Sequence, residues 1–590
     1  MKFPLSTVWL AFSAAVLAEP SVTIDAGTLQ GGQCDNGKNG VYYKAVPYAE
    51  PPTGKLRFEP PKTYGKYPNG KLNATTPANS CIQFGGSFLP GGVYDEDCLY
   101  LDVWTPSNAT KDSKLPVKVF VFGGSNTNGG ISTPLYDGCT IADEGAILVS
   151  INYRLGPIGF LGLDSAGIYG NQGIQDVLVG IEWIQKNVAA FGVVLFGQSA
   201  GATDVFTIAS FPQAPHLINA VIVESIPDTQ LLLNSTLQST GASYAKALNC
   251  SVGDKSCLQS KTVTELQDAY ENDAYLSEGL GSVSHVGINN PKTHSFWPYV
   301  DGTVIAADPS TRGPQVPMVI GYNQQEGVLD TLAKYNSIGA AENATAAQYT
   351  TFLRQNFGVA AAALVEKYYP LSLFEALTGN STGLAVFEAT ATVLTDAHFK
   401  CPGYQGAVEA ARRNVPVWTY EFTHNSSCVW LDTMSQAAVS YYGATHTAEL
   451  PYLFGNLDFD FTTSCNATSA EYHLGEQMRG LWTAMAENAD PSTDAVQWPR
   501  FQITKNGSST PGLIIGNSTE AGLIDFSACK LWDQVNDMIL ASNSTATTTT
   551  RPSSRPTGSS TSTPVSGAAT ISTGGLITFS AVLMGLAVFV

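Results

Sequence analysis

Four apolar residues, Val193-Val194-Leu195-Phe196, run without a polar spacer into Gly197-Gln198-Ser199-Ala200-Gly201. The run has the length and composition of a buried strand, and glycine closes it abruptly. Ala200-Gly201-Ala202-Thr203-Asp204 then puts no bulky side chain in the way of a helix. Strands joined through helices form parallel sheets, because parallel neighbours need a crossover between them. The same grammar recurs along the chain. Val117-Lys118-Val119-Phe120-Val121-Phe122 stops at Gly123-Gly124, and Ala146 to Ile151, Ala220 to Val223 and Met318 to Ile320 are further β-rich runs. Between them, Asp176 to Asn187 carries Val177, Gly180, Ile181 and Ile184 at helical spacing. The pattern predicts an α/β chain with a central, mostly parallel sheet flanked by helices.

Gly197-Gln198-Ser199-Ala200-Gly201 fits a GxSxG elbow, in which a sharp strand-to-helix turn lifts a serine hydroxyl above the sheet. Small neighbours are needed because the serine takes a strained conformation and backbones pack closely around it. Ser199 is therefore the candidate nucleophile, and the following amide, on Ala200, points into the same space. A serine hydroxyl needs a base, and the base needs an orienting carboxylate. The chain has seven histidines, His216, His285, His294, His398, His424, His446 and His473, all after Ser199, so order alone does not choose among them. His446 stands in a loop entering an apolar run, Gly443-Ala444-Thr445-His446-Thr447-Ala448-Glu449-Leu450-Pro451-Tyr452, where catalytic groups are often carried.

A formal charge of −19 argues against nucleic acid as a partner, since phosphates need Lys and Arg. Charged residues are only 13% of the chain, so another group must keep its surface soluble. Asn-x-Ser/Thr sequons begin at Asn73, Asn108, Asn234, Asn249, Asn343, Asn380, Asn425, Asn466, Asn506, Asn517 and Asn543, and glycans are that group. Met1 to Ala18 reads as a secretory signal peptide, with Lys2, an apolar centre and a small-residue cleavage site. Residues 19–537 form the globular domain. Residues 538–575 are a Ser/Thr/Pro-rich stalk that cannot build a core and is expected to be extended. Residues 576–590 are apolar with no following Lys or Arg, and Ser566-Gly567-Ala568 upstream supplies small residues. That order reads as a GPI signal, with a transmembrane anchor as the alternative, and the expectation is a protein at the outer cell surface that meets the membrane only through its anchor. Ten cysteines in such a chain imply disulfides.

Several segments together resemble the type-B carboxylesterase and cholinesterase-like family. They are Glu96-Asp97-Cys98-Leu99-Tyr100-Leu101-Asp102-Val103, Asn152-Tyr153-Arg154-Leu155-Gly156-Pro157, Gly170-Asn171-Gln172-Gly173, the elbow from Phe196 to Ala202, and His446 through Leu450-Pro451-Tyr452-Leu453-Phe454-Gly455. The resemblance implies an α/β-hydrolase fold, and it implies roles. Ser199 matches the nucleophile and His446 the general base. The glutamate of Asn323-Gln324-Gln325-Glu326-Gly327 matches the triad acid, which composition did not single out. Phe122-Gly123-Gly124-Ser125 matches the oxyanion loop, so the amides of Gly124, Ser125 and Ala200 would receive the negative oxygen. The resemblance also suggests the bridges Cys81–Cys98, Cys250–Cys257 and Cys401–Cys529. Of the remaining four cysteines, Cys34–Cys139 and Cys428–Cys465 are taken as a guess.

Departures from the family narrow the expectation. Ser125 stands where the oxyanion loop usually has a further glycine. Gln198 replaces the acid that choline-handling relatives carry beside the nucleophile. The segment between Cys81 and Cys98 has Phe84 and Phe88 but no Trp to receive a quaternary ammonium. It is also short beside the flap of lipase relatives. Phe191-Gly192 runs directly into Val193, where relatives insert a Gly-Asp-Pro loop. The chain is thus expected to hydrolyse neutral carboxylic esters of modest size, without metal or organic cofactor. The rivals are a surface binding protein that kept the fold without its catalysis, and a lipase.

Overall fold

The computed structural model describes residues 19–548, apart from 36, 86–91, 189, 228, 273–295, 336–337, 432–433, 437–438, 458–464, 466 and 505–508. The expected signal peptide, Ser566, the apolar tail, Phe88, His285 and His294 lie outside the described residues.

Eleven strands form one sheet. In chain order they are β1 (Gly32–Gln33), β2 (Gly40–Pro47), β3 (Tyr100–Pro106), β4 (Leu115–Val121), β5 (Ile147–Ile151), β6 (Ala190–Gln198), β7 (Ala220–Glu224), β8 (Met318–Asn323), β9 (Val417–Phe422), β10 (Ser509–Ile515) and β11 (Thr519–Asp525). Their spatial order is β11-β10-β9-β8-β7-β6-β4-β5-β3-β2-β1. Pairing is parallel from β10 across to β5 and antiparallel at both margins. Strands covered on both faces read as continuous apolar runs, and β7 is buried along its whole length. Lys118, in β4, is a charged departure from that pattern. Its ammonium is buried, donates to Arg479 O at 3.1 Å, and is pushed down to about 7 by that burial.

The helices that frame the site are α1 (Gln172–Asn187), α2 (Ala200–Ala209), α3 (Thr382–Thr395), α4 (Cys401–Arg412), α5 (Leu450–Phe454), α6 (Ser469–Asn488) and α7 (Cys529–Thr548). α1 buries Val177, Gly180, Ile181 and Ile184, the face expected from the sequence, and begins four residues earlier, at Gln172. α2 packs on β6 and β7, and α6 on β4 and β6.

The family segments prove to be joints of this frame. Glu96 receives Arg57 through both oxygens at 2.5 Å. Arg154 grips Asp176 on α1 at 2.6 and 2.7 Å, with neither side chain more than 1% exposed. All five expected disulfides are formed, Cys34–Cys139 and Cys428–Cys465 among them.

Two expectations change. The strand before the elbow begins at Ala190, not Val193, with an irregularity between Ala190 and Gly192. Phe191-Gly192 is therefore strand and not connector. At Gly192 a Cβ would lie 1.9 Å from Ala486 O of α6, so glycine lets the strand pass under that helix. The first residues of the expected stalk are also not extended, because α7 continues to Thr548 through them. A helix already started from Cys529 propagates more easily than one nucleated afresh. Among the described residues no helix is long and apolar enough to cross a membrane. Asn73, Asn108, Asn249, Asn343, Asn380, Asn425 and Asn517 are exposed, as glycan acceptors must be.

Candidate active site

Ser199 caps β6 with φ 59° and ψ −128°, a strained pair for a residue with a side chain. Backbone crowding holds it there. A Cβ at Gly201 would lie 2.2 Å from Val121 O and 2.5 Å from Phe122 O. One at Gly197 would lie 2.6 Å from Gly201 O. Glycine at both positions lets the turn fold back against β4, as the pentapeptide predicts. The Ser199 amide donates to Glu224 O at 2.9 Å, fixing the turn to β7. Ser199 itself is partly exposed.

β4 leaves the sheet beside this turn. Gly124 has φ 105°, and a Cβ there would lie 2.3 Å from Asn128 O, so only glycine fits. Ser125 has φ 56°, a left-handed conformation open to other residues at some cost. That is how the loop tolerates the missing glycine. Neither Gly124 nor Ser125 donates its amide to a partner among the described residues. Ala200 opens α2, where amides have no intrahelical acceptor. Asn126 braces the loop. Its Nδ2 donates to Asp204 Oδ1 at 3.1 Å, and its Oδ1 accepts from Tyr153 OH at 3.0 Å.

Glu326 and His446 come from loops after β8 and before α5. His446 Nδ1 lies 2.6 Å from Glu326 Oε2, with the imidazole 15% exposed and the carboxylate fully buried. Asn323 N donates to Glu326 Oε1 at 2.7 Å, and Asn323 Nδ2 to Thr445 O at 2.8 Å. Leu329 N donates to Thr445 Oγ1 at 2.9 Å, so the two loops are stitched on both sides of the carboxylate. A carboxylate only accepts, so Nδ1 carries the hydrogen and Nε2 is left as the basic atom. Burial opposes charge on the ring, but the Glu326 charge and hydrogen bond, with Asp330 and Glu449 beyond, raise its pKa above the ordinary imidazole value.

Two side chains bound the imidazole. Gln198 Nε2 lies 3.1 Å from His446 Nε2 and 3.5 Å from Nδ1. A donor aligned with the Nε2 lone pair would stand far from Nδ1, so the carboxamide lies over the ring face and leaves that lone pair open. The Phe399 ring approaches at 4.6 Å between centroids, tilted by 39°. It is delivered by a π-helical turn, Asp396–Lys400, a wide turn frequent at functional sites. Ser199 Oγ makes no hydrogen bond among the described residues, and such contacts often tighten only when substrate binds.

Sequence reasoning thus named Ser199, Gly124, Ser125, Ala200, Glu326 and His446, and the structure sets the first four at one strand–helix junction. It joins the other two by a short hydrogen bond. Gln198 links the groups, its Oε1 3.0 Å from where a Gly123 Cβ would stand. The reading missed Asn323, Thr445 and Phe399. Asn323 and Thr445 were visible as neighbours of the matched Glu326 and His446, whereas nothing in Phe399's sequence context marks it. His398 is buried near His446 and pushed down to about 3 by burial and by that neighbour's charge. His424 and His473 are engaged with Glu471 and Glu476. Phe84 is fully buried against Tyr270, a core ring and no platform for a cation. No group of His, Cys, Asp and Glu suited to a metal ion occurs among the described residues.

A model of the Carboxylesterase family matches residues 18–522. The chain belongs to the carboxylesterase family. Its relatives include para-nitrobenzyl esterase of Bacillus subtilis (strain 168), 30% identical over 79% of this chain and 90% of that protein. Cholinesterase of Mus musculus is 29% identical over 78% of both chains. Crystal protein of Dictyostelium discoideum is 28% identical over 88% of this chain and 92% of its own length. The α/β-hydrolase fold expected from the sequence is thus the fold of its family.

Proposed function

We propose that the protein is a serine carboxylic-ester hydrolase in which Ser199 forms an acyl-enzyme. His446 takes the Ser199 proton through Nε2, while Glu326 holds the ring's tautomer and favours its charged form. The attacked carbonyl oxygen becomes negative and is received by the amides of Gly124, Ser125 and Ala200. The alcohol leaves with the proton from His446. Water then repeats the path, and the acid departs. The observation that carries this reading is the 2.6 Å contact between His446 Nδ1 and a fully buried Glu326, beside a strained, partly exposed serine.

Substrates are neutral esters of modest size, since Gln198 and the buried Phe84 offer a cation neither charge nor an open aromatic face. The exposed sequons support a secreted glycoprotein, and the terminal segments support a lipid tether at the cell surface. Hydrolysis of p-nitrophenyl esters of graded acyl length tests the reading. Activity lost in a folded Ser199→Ala variant is the expected result, and retained turnover refutes the assignment. A non-catalytic surface protein is the second reading, favoured by the missing hydrogen bond between Ser199 Oγ and His446.

A further inference from the structure

The helix Gly327–Tyr335 starts directly after Glu326. Residues four apart share a helix face, so Asp330 and Lys334 continue the line that Glu326 begins. That spacing suits an ion pair, and Asp396 and Lys400 form one at the same separation. Lys334 does otherwise. Among the described residues its ammonium pairs with no carboxylate, and it turns instead to the helix Ala346–Tyr368. There its Nζ lies 4.4 Å from the centroid of the buried Phe352 ring, and 6.0 Å from that of Tyr335. A ring face attracts a cation but carries no net charge to neutralise it.

A cavity of about 240 Å³ opens at this ammonium, between the two helices. Lys334, Tyr335, Gln348, Thr351, Phe352 and Gln355 are in its walls, and no Asp or Glu is. The capping of the second helix orients Gln348. Its Oε1 accepts from Thr345 N at 2.8 Å and from Thr345 Oγ1 at 3.0 Å, so what it offers the cavity is the Nε2 donor. Thr351 Oγ1 donates to Ala347 O at 2.7 Å and has no hydrogen left for a ligand. Burial holds the Lys334 pKa below the ordinary lysine value, a penalty that an anion beside it would reverse.

These walls favour one kind of anion. A phosphate dianion is best held by several cations or a bidentate guanidinium, and a single ammonium faces the cavity. A halide would leave the two rings without an apolar partner. We propose that the cavity binds a small monocarboxylate with an apolar body, its oxygens on Lys334 Nζ and Gln348 Nε2 and its body against Phe352 and Tyr335. Acids of this class are what the proposed ester hydrolysis releases. That link rests on the reading of Ser199, whereas the binding itself does not. Lys334 follows Gly327 by two turns, so the site stands about 10 Å along the helix from the end that adjoins the triad acid.

The test titrates the full chain with 4-fluorobenzoate and follows the ligand by fluorine NMR. Saturable binding in the millimolar range is expected. Lys334 is exposed, so Lys334→Gln should fold, and it should weaken binding about tenfold or more, the scale of a lost charge-assisted hydrogen bond. Neutral 4-fluorobenzamide should compete poorly, and so should inorganic phosphate. Reductive methylation, read by peptide mass spectrometry, locates the site: benzoate should protect Lys334 and leave the exposed Lys55 reactive.

Binding of equal strength in Lys334→Gln, or a Lys334 methylated equally with and without benzoate, overturns the site. Competition by the amide or by phosphate as strong as that of benzoate overturns the choice of a monocarboxylate. Neither readout needs turnover. A failed esterase assay would therefore sink the functional reading and leave this cavity to be judged separately.

Discussion

Gln198 lays its carboxamide across the face of the His446 imidazole, its nitrogen 3.1 and 3.5 Å from the two ring nitrogens. The residue next to the nucleophile thus touches the base, and it does so without charge. A carboxylate in that place would favour the imidazolium. Gln198→Glu is expected to move the acid limb of kcat/KM up by about one pH unit, the scale of a nearby opposite charge. An unmoved limb in a folded variant would mean that the side chain at 198 does not sense the ring's charge.

Glu326 acts on the other edge of the same ring. In Glu326→Gln the amide can present a donor to Nδ1 and impose the wrong tautomer, and kcat should fall by about 10⁴-fold, as in comparable triads. The wild-type acid limb is expected above the ordinary imidazole value, since the neighbouring Glu326 raises the His446 pKa. The same shift bears on stability. The contribution is complete below about pH 6.5, the unfolded histidine value, and fades as pH rises through the folded one. Glu326→Gln removes that fading, and melting curves across pH 6 to 9 check the sign.

The elbow itself is a packing constraint. Gly201→Ala would drive a Cβ to 2.2 Å from Val121 O, a backbone atom that cannot swing aside. The expected loss is about 1–3 kcal/mol in urea unfolding, with activity lost more steeply than stability as Ser199 is displaced. A variant of wild-type stability and turnover would show that the junction is looser than its backbone contacts imply.

The frame and half the site were legible because their causes are local. Val193 to Phe196 and the glycines around Ser199 announce strand, turn and nucleophile by spacing alone. Glu326 needed the family resemblance, since a buried acid has no short-range signature. Where the reading slipped, a distant contact decided. β6 starts at Ala190 because Gly192 slides beneath Ala486, and no local pattern in residues 188–193 records that helix. α7 runs into the Ser/Thr-rich segment because a helix already formed extends past composition that would not start one. Glu224 looks like a surface glutamate in sequence, and only its place in β7 beneath Trp482 of α6 makes it a buried one.

The central claim is that Ser199, His446 and Glu326 act together on an acyl centre, and labelling by a fluorophosphonate tests it most directly. The reagent phosphonylates an activated serine, and peptide mass spectrometry locates the adduct. The account predicts a single adduct on Ser199 in folded protein, suppressed in His446→Ala. Folded protein that takes up no label at Ser199, or takes it up equally without the imidazole, would contradict it.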